Sequence, residues 1–133
     1  MALFRKYFTP KEANKPLPYL KKIVGEILEK GKQLRRLFQE NATFDVSSQA
    51  DSIKEEMGEL MAELEALGCF YKDWNFEIGL VDFPALIYDK EVLLCWRSDE
   101  QEILWYHSLD DGFVGRRPIP TQWLLGEDDI LKA

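Results

Sequence analysis

Two stretches of apolar residues, spaced alternately three and four positions apart, constrain the fold of this chain more than any other feature. They run through residues 17–38 and 50–67, with a single gap in the first stretch at Gly31. This spacing places apolar side chains on one side of an α-helix and is typical of coiled coils, in which helices pack lengthwise. Two such helices in succession, joined by a short connection, predict an antiparallel helical hairpin over about residues 10–67.

The start of the first helix has a capping signature. Thr9 is followed by Pro10 and then by Glu12, which is the pattern of a capping box with proline in the first turn. Pro16 interrupts this turn, because proline in a helix interior removes a hydrogen bond and clashes with the preceding turn. We therefore predict a short first helix, followed by a long helix that begins near Pro16 and continues to about Glu40.

Polar residues and a glycine bound the second long helix. Residues 41–48 break the heptad pattern, and Ser47 or Ser48 can cap the helix that follows. Gly68 is placed to end this helix, because glycine readily adopts the left-handed conformation that is common after a helix.

The second half of the chain changes to the pattern of β-strands, which predicts an α+β fold in a single domain. We expect an antiparallel meander of three to four strands over about residues 69–117, packed on the hairpin, and a C-terminal turn and tail over residues 118–133. Pro84 indicates that its strand lies at an edge or carries a bulge. The predicted strands cover residues 81–88, 91–97 and 102–107, with a further strand at 69–72 or 76–78 and a helical turn at 121–125.

A predicted two-residue turn at Asp89-Lys90 fixes the pairing of the strands. It aligns Asp82, Arg97 and Glu102 in one row across three strands. We interpret this row first as a set of ion pairs that closes the end of the sheet. The alternative interpretation is an arginine held ready for an anionic group.

The same register predicts a sheet that is apolar on both faces. One face carries Phe83 and Trp96, with His107 at its end, and is expected to pack on the hairpin. The other face, which carries Cys95, then needs a second cover. Residues 113–125 or a second copy of the chain can supply it.

Charge and cysteine content narrow the class of protein. The formal net charge of −7 makes the chain poorly suited to nucleic acids and to anionic membranes, since both are polyanions. No apolar run is long enough to span a bilayer, and residues 1–13 lack the features of a signal peptide, so we expect a cytoplasmic protein. Cys69 and Cys95 show no metal-ligand spacing. We therefore predict reduced, buried thiols, no metal site and no cofactor.

A few residues are candidates for chemistry. His107 is the only histidine, and as a general base it needs an orienting partner, for which Asp110 or Asp111 is near in sequence. A hydrogen-bonded, partly buried histidine is the favoured interpretation. Arg116 and Arg117 lie in a glycine-containing turn, where they can bind a carboxylate or phosphate or pair with the chain's own acids. No nucleophile motif accompanies them, so the sequence gives only weak support for an enzyme.

Several motifs resemble those of one protein family. The FTPKEAN start, the GLVDFPA and EVLLCWR segments and the WYHSLDDGFVGRRP run are similar to DUF2203, a family of domains of unknown function, over residues 8–118. The resemblance implies a fold and carries no activity, ligand or cofactor. Lys15-Pro16 departs from the pattern of the family, which affects the expected start of the long helix. The positions that match the motifs are Asp82, Phe83, Pro84, Trp96, Arg97, His107, Gly112, Phe113, Gly115, Arg116 and Arg117.

These features lead to two functional hypotheses. The first is a non-enzymatic protein that self-associates, with a dimer favoured, or that binds a protein partner through the hairpin. The two heptad stretches and the doubly apolar sheet favour it. The alternative is a small anionic-ligand-binding protein or enzyme. Its site residues are Asp82, Arg97, His107, Arg116 and Arg117.

Overall fold

Helices form the first half of the chain in the computed structural model, which describes residues 3–40 and 44–125. The predicted capping box is present: the Thr9 hydroxyl accepts a hydrogen bond from the Glu12 amide at 3.1 Å, and the Glu12 carboxylate accepts one from the Thr9 amide at 2.9 Å. None of the helices in these ranges is long and apolar enough to cross a membrane. Within these ranges the α-helices are α1 (Pro10–Asn14), α2 (Leu17–Glu40), α3 (Phe44–Leu67) and α4 (Thr121–Leu125).

The C-terminal end of α3 agrees with the sequence prediction, whereas its N-terminal end does not. At its C-terminal end Gly68 has a φ of +99°, and the amides of Gly68 and Cys69 donate hydrogen bonds back to carbonyls of the last turn, as predicted for a glycine stop. At the other end, the prediction of a cap at Ser47 or Ser48 is wrong, because both serines lie inside α3. Serine in a helix interior costs less than about 1 kcal/mol relative to alanine, so helix packing outweighs this local preference.

Helices α2 and α3 lie antiparallel, as predicted. Tyr19, near the start of α2, donates a hydrogen bond to Glu63 near the end of α3 at 3.2 Å. Further along α2, Lys30 pairs with Glu56, which lies earlier in α3. Residues with increasing numbers in one helix therefore meet residues with decreasing numbers in the other.

Two glycines allow close approach between α2 and residues 72–79, which connect the first two strands of the sheet. Gly31, the gap in the first heptad stretch, is buried, and a Cβ atom there would lie 2.5 Å from the Cβ of Phe76. A Cβ atom on Gly79 would lie 2.3 Å from Val24 of α2. The heptad gap at Gly31 thus makes room for the aromatic ring of Phe76.

Within residues 44–125 the structure has one antiparallel sheet of five strands, which lie side by side in chain order: β1 (Phe70–Tyr71), β2 (Leu80–Ile87), β3 (Lys90–Arg97), β4 (Trp105–Ser108) and β5 (Arg117–Pro118). The sheet has more strands than predicted, because β5 is only two residues long and gives no alternating pattern. Pro84 in β2 lies beyond the end of β1, and its carbonyl accepts a hydrogen bond from the Phe8 amide at 2.7 Å. Its missing N–H therefore interrupts no strand pairing.

One face of the sheet, which we call the inner face, packs on the helical hairpin. Phe83 and Trp96 are 0% and 1% exposed and belong to one apolar core with Leu20 and Ile27 of α2. Burial of this apolar surface is the main driving force for folding. The inner-face residues of β2 and β3 in this core are Val81, Phe83, Ala85, Ile87, Val92, Leu94 and Trp96.

The turn between β2 and β3 lies one residue earlier than predicted. It consists of Tyr88 and Asp89, which have φ values of 49° and 69°, as a tight hairpin turn of the primed type requires. Each β2 residue consequently pairs two positions away from its predicted partner but stays on its predicted face. Asp82 lies opposite Cys95.

The connection between β3 and β4 is longer than predicted. It spans residues 98–104 and buries Ile103 completely, with the Ile103 amide donating to a side-chain oxygen of α1 at 2.8 Å. As a result Cys95 lies opposite Trp105, one residue later than predicted. A one-residue shift exchanges the faces of a strand. The placement of His107 on the inner face is therefore wrong: it lies on the opposite, outer face.

The predicted row of Asp82, Arg97 and Glu102 is also wrong. Arg97 lies opposite Leu80, and Glu102 is exposed in the connection before β4. Arg97 instead donates two hydrogen bonds, of 2.6 and 2.8 Å, to Asp99. This local pair needs no alignment of strands, which explains why it forms in place of the row.

Candidate functional site

Three adjacent strands bring a carboxylate, a thiol and an imidazole together on the outer face. Asp82 of β2 lies opposite Cys95 of β3, and His107 of β4 lies opposite Leu93 of the same central strand. Asp82, Cys95 and His107 are 5%, 1% and 3% exposed. One donor atom from each, oxygen, sulfur or nitrogen, lies within 4.8 Å of the others. Buried polar groups are unfavourable unless they are paired, so this cluster needs an explanation.

Both ring nitrogens of His107 have acceptors. Nε2 lies 3.1 Å from Oδ1 of Asp82, and Nδ1 lies 2.8 Å from the carbonyl oxygen of Ser108. Burial lowers the pKa of His107, but hydrogen bonds with Asp82, Cys95 and the Ser108 carbonyl raise it more strongly, to about 10. At neutral pH the ring is therefore an imidazolium that forms a buried ion pair with Asp82.

The cluster lines a cavity of about 300 Å³, which we call the Asp82 cavity. This volume lies at the small end of the range for sites that bind small molecules. Lys72 and Asp111 are the other charged residues of its lining. The rest of the wall is mostly apolar and consists of Leu80, Leu93, Leu109, Gly112 and Phe113.

Arg116 lies beside this cavity and is held by the chain itself. Its Nη2 donates to the Glu100 carboxylate at 2.7 Å and to the Cys95 carbonyl at 3.0 Å. Its guanidinium carbon lies 5.0 Å from the ring centre of Trp105 and 4.9 Å from that of Phe113. Nε is buried and has no hydrogen-bond partner within the described part of the chain. Arg116 thus ties the backbone of Cys95 to the β3–β4 connection.

The five residues predicted as one site do not share one pocket. Asp82 and His107 line the Asp82 cavity. Arg97 is paired with Asp99 and lies 5.8 Å from the Phe113 ring, outside the lining of that cavity. Arg117 lies in β5 and lines a different cavity.

The cluster allows two kinds of chemistry. A cysteine nucleophile with histidine as its base must be accessible to a substrate, and Cys95 is only 1% exposed. Metal coordination requires that donor atoms converge, and the oxygen, sulfur and nitrogen of the three side chains do so. The geometry therefore favours coordination over nucleophilic attack.

Sequence reasoning identified Asp82 and His107 and missed Cys95 as their partner. The three residues lie on three different strands, so no short motif links them. The predicted register places Cys95 on the face of Asp82 but places His107 on the opposite face. A correct register for β4 is the one signal that reveals the cluster.

The comparisons with known proteins agree with the motifs noted above. The family model DUF2203, described as an uncharacterized conserved protein, matches residues 6–119, a range that contains the whole cluster. No curated protein and no solved structure gave a significant match.

Proposed function

We propose that this chain, which belongs to the DUF2203 family, binds a divalent transition-metal ion such as Zn²⁺ through Asp82, Cys95 and His107. The observation that carries the proposal is the convergence of three buried donor atoms within 4.8 Å of one another. Carboxylate oxygen, thiolate sulfur and imidazole nitrogen are the ligand types of protein zinc sites. This function differs from the expectation of no metal site, which rested on sequence spacing alone.

The separations of the donor atoms suit a tetrahedral ion after small side-chain rotations. Zinc bonds of about 2.0–2.3 Å place two ligands at a tetrahedral angle about 3.3–3.7 Å apart. His107 Nε2 and Asp82 Oδ1 lie 3.1 Å apart, and the Cys95 sulfur lies within 4.8 Å of both. The ion takes the place of the proton that Nε2 donates to Asp82. Because the thiol also loses its proton, binding releases protons.

The remaining contacts of the cluster support the same role. A histidine that ligates a metal usually donates its other ring N–H to a carbonyl or a carboxylate, which fixes the orientation of the ring. His107 makes this contact from Nδ1 to the Ser108 carbonyl at 2.8 Å and keeps Nε2 for the ion. The contact of Arg116 with the Cys95 carbonyl restrains a second ligand in a similar way.

Three protein ligands leave one position of a tetrahedral ion open. Structural zinc sites use four protein ligands, whereas zinc sites that handle substrates use three and keep a position for water or a small molecule. The Asp82 cavity of about 300 Å³ provides room for such a molecule. We therefore propose a metal centre that receives a small ligand, rather than a purely structural ion.

Titration of the metal-free protein with Co²⁺, a coloured substitute for Zn²⁺, tests the proposal. The wild-type chain should develop a thiolate-to-cobalt charge-transfer absorption that saturates at one equivalent and is removed by Zn²⁺. Changes outside the ligand set cost about 10–100-fold in affinity at such sites, so loss of a ligand in Cys95→Ser should cost at least as much. Cys69→Ser is the matched control, because Cys69 is the other free and buried thiol. Failure of the wild type to bind, or equal binding by Cys95→Ser, contradicts the proposal.

The open position has its own test. Azide added to the cobalt-loaded protein should shift the visible absorption of the ion, because a small anion can reach it from the Asp82 cavity. An unchanged spectrum would show that azide does not reach the ion and would contradict the assignment of the cavity as the ligand site.

Self-association is a second candidate function, favoured by apolar side chains that are exposed close to the Asp82 cavity. Leu109, Phe113 and Val114 are 37%, 39% and 99% exposed on the segment that follows β4. Contiguous exposed apolar surface is typical of interfaces, and a dimer through this segment would cover it. Sedimentation velocity at micromolar concentration should then show a dimer that Val114→Asp converts to a monomer. A monomeric wild-type chain would exclude self-association.

The heptad helices, with Phe38 of α2 58% exposed, offer a coiled-coil surface for a protein partner.

We also propose that the protein works in the cytoplasm. Cys69 and Cys95 are both free and buried, as is usual in a reducing compartment. Fractionation of cells that express a tagged chain tests this location. Recovery of the chain outside the cytoplasmic fraction would contradict it.

A further inference from the structure

A second cavity, larger than the Asp82 cavity, lies at the turn end of the β2–β3 hairpin. Its volume is about 660 Å³, well within the range of small-molecule sites. The turn, β3, β4, β5 and α4 all contribute to it, and it shares no lining residue with the Asp82 cavity. We call it the Arg117 cavity. Its charged and aromatic lining residues are Tyr88, Lys90, Glu91, Tyr106, Arg117 and Trp123.

The Arg117 cavity carries positive charge that no described residue neutralises. The side chains of Arg117 and Lys90 are exposed and form no hydrogen bond or ion pair within residues 3–40 and 44–125. Glu91 is the one carboxylate of the lining, and it already accepts hydrogen bonds from the Tyr7 hydroxyl and the Leu3 amide. Two cations without partners in the described part of a chain of net charge −7 mark this cavity as a site for an anion.

Aromatic rings form the other part of the lining. The rings of Tyr106 and Trp123 lie 4.9 Å apart between centres, inclined at 49°. Tyr88 is 50% exposed and has a φ of 49°, in a turn position that usually holds asparagine, aspartate or glycine. A residue other than glycine in this conformation costs about 1–3 kcal/mol and is often found at a functional site. An exposed tyrosine held in this way is available to pack against a flat ligand.

We infer that the Arg117 cavity binds a small planar anion, an aromatic ring that carries a phosphate or a carboxylate. The acid group pairs with the guanidinium of Arg117, which matches the two oxygens of such groups, and Lys90 adds a second charge. The ring packs against Tyr88 and Trp123, as aromatic rings commonly do. This site is independent of the metal centre.

Calorimetric titration with phenyl phosphate, inorganic phosphate and phenol separates the two parts of the ligand. Phenyl phosphate should bind at least about tenfold more tightly than either of the others, a difference of about 1.4 kcal/mol. Benzoate, titrated in parallel, shows whether the site prefers a carboxylate to a phosphate. Equal binding of phenyl phosphate and inorganic phosphate, or no binding of either aromatic acid, would overturn the inference.

Matched arginine variants test the location. Arg117→Gln should weaken phenyl phosphate binding by roughly tenfold, the loss expected when a charge-assisted pair is removed. Arg97→Gln is the control, since the Arg97 side chain is 36% exposed but is paired with Asp99 outside this cavity. Trp123→Leu should weaken the binding of aromatic acids and leave the affinity for inorganic phosphate unchanged. Equal effects of the two arginine variants would place the site elsewhere and overturn the inference.

Acidic residues that follow Leu125 in the sequence make competition by the chain itself an outcome to be tested. Residues 126–133 include the consecutive acids Glu127, Asp128 and Asp129. A chain truncated after Leu125 should bind phenyl phosphate with the affinity of the full chain if the ligand is external. Binding by the truncated chain alone would instead assign the cavity to the chain's own acidic tail.

Discussion

The inner and outer faces of the same two strands differ in what they bury. On the inner face, Phe83 and Trp96 are 0% and 1% exposed and pack in the apolar core. On the outer face, Asp82 and Cys95 are 5% and 1% exposed, and Asp82 forms an ion pair with His107. Burial of apolar area stabilises a fold in proportion to the area. A buried ion pair is often no better for stability than an apolar pair of the same size.

This difference indicates that the functional site lies on the outer face. The inner face accounts for stability without any polar group. The outer face buries a carboxylate, a thiol and an imidazole at positions where apolar side chains would also be buried. Perturbed, buried ionisable groups that line a cavity are typical of functional sites. The predictions below test whether the two faces can be changed separately.

The largest effect is expected on the inner face, from Phe83→Ala. Phe83 is completely buried, and its ring packs edge-on against Phe8 with ring centres 5.4 Å apart. Loss of a buried phenylalanine side chain costs about 3–5 kcal/mol of unfolding free energy. Chemical denaturation measures this loss. At low temperature the folded variant should still bind Co²⁺; loss of binding by a folded variant would show that the two faces are not separable.

The next largest effect is expected on the outer face, from Asp82→Asn. Removal of one partner of a buried ion pair leaves the other charge unpaired, and about 3 kcal/mol of unfolding free energy should be lost. Asp111→Asn is the control, because Asp111 lines the same cavity but is exposed. An Asp82→Asn chain as stable as the wild type would show that the ion pair with His107 does not form in solution.

A glycine can be replaced by alanine beside each of the two faces. In Gly79→Ala the new Cβ would lie 2.3 Å from Val24, so the chain must shift at a cost of about 1–3 kcal/mol. Gly112→Ala at the Asp82 cavity meets no atom within 4 Å. Its unfolding free energy should change by less than about 0.5 kcal/mol. Equal losses in the two variants would contradict the tight packing of the inner face.

A smaller effect is expected from pH, and a variant that lacks His107 isolates the part that is due to this residue. The pKa of His107 in the folded chain is about 10, above its ordinary value of 6.5. Its contribution to stability is therefore complete below about pH 6.5 and is lost as the pH rises through about 10. In the metal-free protein, Tm should fall over this interval by more in the wild type than in His107→Gln. Parallel curves would show that His107 has no raised pKa.

The smallest effect is expected from Arg97→Gln. Arg97 pairs with Asp99 at the surface, and surface ion pairs contribute little to stability. The denaturation midpoint of this variant should match that of the wild type. A clear loss of stability would mean that Arg97 makes a cross-strand contact of the kind that the sequence first suggested.

The helical half of the chain could be predicted closely from sequence because its signals are local. A capping box involves residues three positions apart, and heptad spacing needs only the neighbouring turns. Thr9 and Gly68 accordingly mark helix ends as predicted. The exception is the start of α3, where serines at positions 47 and 48 lie inside the helix.

The sheet could be predicted in class but not in register. Strands that are apolar on both faces give no preference for one pairing over another. The turn at Tyr88-Asp89 contains no glycine, and the burial of Ile103 that sets the start of β4 depends on a contact with α1. The cluster of Asp82, Cys95 and His107 needs the correct face for His107, and so it could not be found from the sequence.

A crystal structure of the protein with Zn²⁺, from data collected on both sides of the zinc absorption edge, tests the central claim most directly. We predict one anomalous difference peak on the outer face, bonded to Asp82 Oδ, Cys95 Sγ and His107 Nε2 at about 2.0–2.3 Å, with a fourth ligand in the Asp82 cavity. The absence of a peak among these three side chains, with His107 still hydrogen-bonded to Asp82, would contradict it.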